Sequence, residues 1–102
     1  MFEYDGVKYK LYFTEGVIEA LETVLGHSLM SSMYTNSMML PLKDLRMAFI
    51  MSLAEVDTGK RPGQNFGTKI FEQAKKDIGY SGLCEMVAVA FENDCPFFFQ
   101  MN

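Results

Sequence analysis

The sequence predicts a mainly α fold, a small bundle of four or five helices with a short N-terminal β-hairpin. The composition of the 102 residues, 49% hydrophobic and 22% charged, is that of one globular domain and not of a disordered chain. Apolar residues recur at intervals of three and four along most of residues 14–95. Only residues 1–13 alternate with period two, around Asp5-Gly6. The chain therefore divides into a hairpin over 1–13, a helical bundle over 14–95 and an apolar tail over 96–102.

In the hairpin, Phe2 and Tyr4 precede the turn, and Val7, Tyr9, Leu11 and Phe13 alternate after it. Thr14 then caps a helix whose apolar face holds Val17, Ile18, Leu21, Val24 and Leu25, with Gly26 as its stop. The opposite face is acidic. Residues 26–41 are rich in Ser and Met, with a weak helical pattern in Leu29, Met30 and Met33 that Asn36 breaks, so a short helix followed by a loop is expected. The strongest helical pattern runs from Leu42 to Val56. One stripe holds Leu42, Leu45, Phe49, Leu53 and Val56, and a second holds Met47, Ile50, Met51 and Ala54. Residues 57–64 read as a surface loop. A helix starting at Asn65 or Thr68 turns Phe66, Ile70, Phe71, Ala74 and Ile78 inward and ends at Gly79. Ser81 caps a last helix with Leu83, Val87, Ala90 and Phe91 facing the core, stopped before Pro96.

The net charge of −4 and pI near 4.8 remove the overall electrostatic attraction that drives binding to nucleic acid or anionic lipid. No apolar run has the roughly 20 residues that cross a bilayer, and the N-terminus has no signal-peptide pattern. A cytoplasmic protein is expected. Cys84 and Cys95 have no metal-ligand spacing, and read as small apolar core residues. Neither a metal nor a cofactor is expected.

No motif points firmly to catalysis. Glu15, Glu19 and Glu22 share one helix face, which solvation and the helix dipole explain. His27, the sole histidine, follows a helix end, where it can meet the last carbonyls. Thr58-Gly59-Lys60 lacks the earlier glycine and the following Ser or Thr of a phosphate loop. Leu25-Gly26-His27-Ser28-Leu29 resembles the attachment motif of acyl and peptidyl carrier proteins, and Leu40-Pro41-Leu42-Lys43-Asp44-Leu45 resembles their next helix. That alternative implies phosphopantetheine on Ser28, but carriers have a full helix before the serine where this chain has a hairpin.

A broader resemblance runs from about residue 7 to 95. Its marks are Ile18-Glu19-Ala20-Leu21-Glu22 leading into Leu25-Gly26-His27-Ser28-Leu29, then Leu42-Lys43-Asp44-Leu45-Arg46 opening a helix. Ile70-Phe71-Glu72, Asp77-Ile78-Gly79-Tyr80 and Leu83-Cys84-Glu85-Met86-Val87 follow. In this order the elements resemble a phage or prophage tail assembly chaperone of the gene transfer agent and siphophage type. The resemblance implies a non-enzymatic protein of the bacterial cytoplasm, absent from the mature virion. It would coat the tape measure protein before the tail tube polymerises and would self-associate into multimers. A further alternative is a small interaction domain with another client.

Six of the nine methionines lie between Met30 and Met51. Met adapts to varied apolar surfaces, so these residues either fill a core or meet a partner. The expected contact residues are Met33, Met39, Met47, Ile50 and Met51. Phe97, Phe98 and Phe99 are added because an apolar cluster near the end of the sequence either packs back or binds. Their codons form a thymidine run. In this family a frameshift commonly makes a longer fusion that recruits the tail tube protein, and these codons are its expected slip site.

Overall fold

The computed structural model describes residues 2–35 and 39–99. Its elements are β1 (Phe2–Tyr4), β2 (Val7–Leu11), α1 (Glu15–Leu25), α2 (Leu29–Thr35), α3 (Leu42–Ser52), β3 (Leu53–Glu55), α4 (Gln64–Asp94) and a 3-10 turn at Pro96–Phe99. The fold is mainly helical with an N-terminal antiparallel hairpin, as the sequence predicts. A third strand is added.

Asp5 and Gly6 both have positive φ, 53° and 80°, which is the two-residue turn suited to the twist of a hairpin. Phe2 pairs with Tyr9, Glu3 with Lys8 and Tyr4 with Val7. Thr14 Oγ1 accepts the Val17 N–H at 3.1 Å, and Gly26 ends α1 in the left-handed conformation with φ 78°. The break expected at Asn36 lies outside the described residues.

The helix expected over 42–56 ends at Ser52 instead. Leu53 and Glu55 pair antiparallel with Leu11 and Tyr9, giving the sheet order β1-β2-β3. The reason is tertiary. β2 offers an open edge and an apolar inward face, and the segment Leu53-Ala54-Glu55-Val56 fits either period. Ser52 turns its hydroxyl back to the Ala48 carbonyl at 2.6 Å, and the Tyr12 N–H donates to the Ser52 carbonyl at 2.7 Å. Arg61 then donates to the carbonyls of Met51, Leu53 and Tyr12 at 3.2, 3.4 and 3.2 Å. One guanidinium thus satisfies carbonyls at the end of α3, at the start of β3 and just past the end of β2.

α4 has two arms, 64–78 and 80–94, separated at Gly79, where φ is 75° and ψ 176°. The expected boundary at Gly79 is present. The second arm resumes at Tyr80, so Ser81 lies within it rather than before it. Tyr80 donates its hydroxyl to the Leu40 carbonyl, tying this break to the approach of α3. Gly67 permits a close approach of α4 to α3, since a Cβ there would lie 3.0 Å from Ile50 Cγ2.

Aromatic contacts link the layers. Phe49 on α3 lies 5.7 Å from Phe2 on the sheet and 5.4 Å from Phe71 on α4, measured between ring centres. Phe13 and Phe91 meet at 5.5 Å. Beside them Asp94 Oδ2 accepts the Phe13 N–H at 2.9 Å and Cys95 Sγ donates to the Phe13 carbonyl at 3.8 Å, so the exit from β2 is held against the end of α4. Several residues expected in the core lie outside it: Val24, Leu42, Phe66 and Ile78 are exposed, and Val17 and Ala90 are half-buried at its margin.

Candidate functional site

α1 and α3 run antiparallel. Gly16 and Val17 near the start of α1 share a cleft with Met51 near the end of α3. At the other end His27, just past α1, reaches Asp44 in the first turn of α3, with Nε2 2.6 Å from Oδ2. The cleft between them is walled by Gly16, Val17 and Ala20 on one side and by Gly63 and Gln64 at the start of α4 on the other. Met51 lies half-buried in it, and Met47, one turn earlier, is half-buried at the core margin. Val24, half exposed at 50%, continues the Val17 and Ala20 row along α1.

The expected contact residues do not form one surface. Met47 and Met51 remain accessible on one face of α3. Ile50 is only 5% exposed because Gly67 brings α4 directly over it. Met33 is wholly buried on α2. Both are therefore core residues, and packing replaces the partner contact expected of them. Met39 is half-buried on a different groove, beside Ala88 and Val89 of the second α4 arm. Phe97 is 50% exposed in the 3-10 turn. The contacts expected of the Phe98 and Phe99 side chains lie outside those described.

His27, Ser32 and Asp44 form the main polar cluster of this helical layer. Asp44, 3% exposed, accepts from the Ser32 hydroxyl at 2.7 Å as well as meeting His27, both on Oδ2. Ser32 and His27 thus converge on the same carboxylate oxygen. The cluster's chemistry is that of a clasp across α1, α2 and α3. Ser28 serves as the cap of α2, its Oγ accepting the Ser31 N–H at 3.0 Å. Among the described residues no group of three His, Cys, Asp or Glu side chains could hold a metal. No described helix is long and apolar enough to cross a membrane.

Burial pushes the Cys95 thiol up from its ordinary value, with Asp94 and Glu15 adding to the effect. Cys84 and Cys95 are both free and buried. Buried thiols in apolar surroundings are poor nucleophiles, in keeping with a packing role. Sequence reading missed the Gly16, Ala20 and Gln64 walls of the cleft, and Arg61 at its end. A usable signal existed for α1, because Val17, Ala20 and Val24 recur at three and four to the side of the main apolar stripe.

Compared with protein-family models, with curated proteins and with solved structures, the chain matches none.

Proposed function

We propose that this protein is a non-enzymatic tail assembly chaperone that binds apolar helical segments of a tape measure protein in the cleft between α1, α3 and the start of α4. The observation that carries the reading is half-buried Met51 in the cleft beside Val17 and Ala20, with half-buried Met47 one turn earlier on α3 and exposed Val24 one turn later on α1. An amphipathic helix laid there would cover both rows, with the flexible thioethers adjusting to successive segments of a long client. Low chemical specificity suits a client whose sequence changes along its length. The sequence resemblance suggests the client, and the cleft offers a physical means of holding it.

Further parts of the same proposal are self-association along the tape measure, residence in the bacterial cytoplasm during assembly, and a frameshifted longer form reaching the tail tube protein. The slip site is placed at the Phe97, Phe98 and Phe99 codons. Synonymous recoding of that thymidine run should remove a longer N-terminally tagged product, and an unchanged amount of such a product would remove that part.

The binding reading is tested by co-purifying tagged protein with the tape measure protein of its tail-gene cluster. Val24→Lys at an exposed position and Met51→Lys at a half-buried one should keep the helical circular dichroism of the parent while lowering recovery of the client by at least about tenfold. Undiminished recovery with both variants folded would overturn the cleft as the binding site.

A further inference from the structure

We propose that the open edge of β1 is a second binding surface, which takes an extended basic and apolar peptide segment by strand addition. β1 is an edge strand in the order β1-β2-β3. With a two-residue turn, Tyr4 and Val7 form the hydrogen-bonded pair next to it, so Glu3 falls at the following position, where its own N–H and C=O point away from β2. Natural edges are commonly blunted by short length, charged side chains, proline or a bulge, or covered by another element. β1 has neither proline nor lysine, its three residues limit pairing to the single outward-facing position of Glu3, and the charge there disfavours an acidic strand while leaving a basic one admissible, with a cleft beside it.

That cleft runs between β1 and the first arm of α4, where Ala74 and Ile78 stand opposite Phe2 and Tyr4, with Met86 of the second arm at its end. Ile78 is 44% exposed, and Phe66, exposed at 38%, packs edge-on against Tyr4 at 5.8 Å between ring centres. An added strand would direct alternate side chains into this apolar cleft and the others to the outer face of the sheet beside Glu3. Asp77 at the cleft and Glu3, whose side chain lies on the outer face, are both acidic. On the outer face Glu3 stands next to Lys8, so a lysine or arginine on the added strand would complete a row of alternating sign.

The same geometry argues against a second copy as occupant. Pairing two β1 strands through the open amide of Glu3 would set the two Glu3 carboxylates opposite each other, which disfavours the pair. This surface lies apart from the α1/α3 cleft, so its test is independent of the chaperone reading.

The experiment titrates the full 15N-labelled chain with a short capped peptide alternating lysine and valine. Two controls are a glutamate and valine peptide and a lysine and valine peptide N-methylated on its pairing edge. The proposal expects amide shifts at Glu3, Ala74 and Ile78 with slowed exchange of the Glu3 amide, an affinity roughly tenfold weaker for Glu3→Lys, and no binding by either control. It would be overturned by absence of shifts, by shifts confined to other elements, by equal binding of either control, by unchanged affinity in Glu3→Lys, or by concentration-dependent pairing of the chain through β1.

Discussion

At the scale of single residues, the polar groups inside this fold act as clasps. Asp44 gathers His27 and Ser32 on one carboxylate oxygen from inside the first turn of α3, where the helix dipole also favours its charge. Replacing it with alanine removes an acceptor shared by two elements, and should cost about 2 kcal/mol in urea unfolding. His27→Ala, which changes a partner 47% exposed in its side chain, should cost less. Equal losses would contradict the shared clasp. Two tyrosine hydroxyls, of buried Tyr9 and partly exposed Tyr80, and the buried Cys95 thiol bear on stability at alkaline pH. Burial foremost, then Glu55 and Asp5, raises the Tyr9 value, and burial foremost raises those of Tyr80 and Cys95. Each group holds its proton more tightly in the fold than in the unfolded chain. Their contribution is complete below the unfolded values of about 8.5 for Cys and 10 for Tyr, and is lost as pH rises through the folded ones. The unfolding midpoint should therefore fall above about pH 9, and Tyr9→Phe should reduce that fall.

At the scale of elements, what was legible in the sequence followed from punctuation. Asp5-Gly6, Thr14, Gly26 and Gly79 each mark a boundary that the structure keeps, because each has a local conformational or hydrogen-bonding reason to be there. β3 was not legible. Residues 53–56 continue a helical stripe without an interrupting glycine or proline, and the edge of β2 and the fork of Arg61 decide the outcome from a distance. Arg61→Ala should speed hydrogen exchange at the Val56 and Tyr12 amides, which donate to Lys8 and Ser52, by about tenfold. Arg61→Lys should restore little of the protection, since an ammonium cannot span carbonyls of α3, β3 and the segment after β2 in the same way. Full rescue by lysine would show that charge alone holds β3.

At the scale of the whole molecule, the candidate site was half legible. The methionine-rich stretch drew attention to α3, which lines the proposed cleft, but periodicity alone does not say which stripe a neighbour will cover. Gly67 lets α4 close over Ile50 and leaves Met47 and Met51 at the margin, while Met33 turns into the core from α2. The flank of α1 that holds Ala20 and Val24 is exposed because α1 packs chiefly on α3 and α2, a consequence of tertiary arrangement that no single segment carries. The central claim is that Met47 and Met51 receive a helical client. It is tested most directly by labelling the methionine methyl groups with 13C and adding an amphipathic helical peptide from the tape measure protein. The account expects the Met47 and Met51 signals to shift together with the Val24 amide, while the Met33 signal stays in place. A peptide that binds without moving Met47 or Met51, or that fails to bind the folded protein, would contradict it.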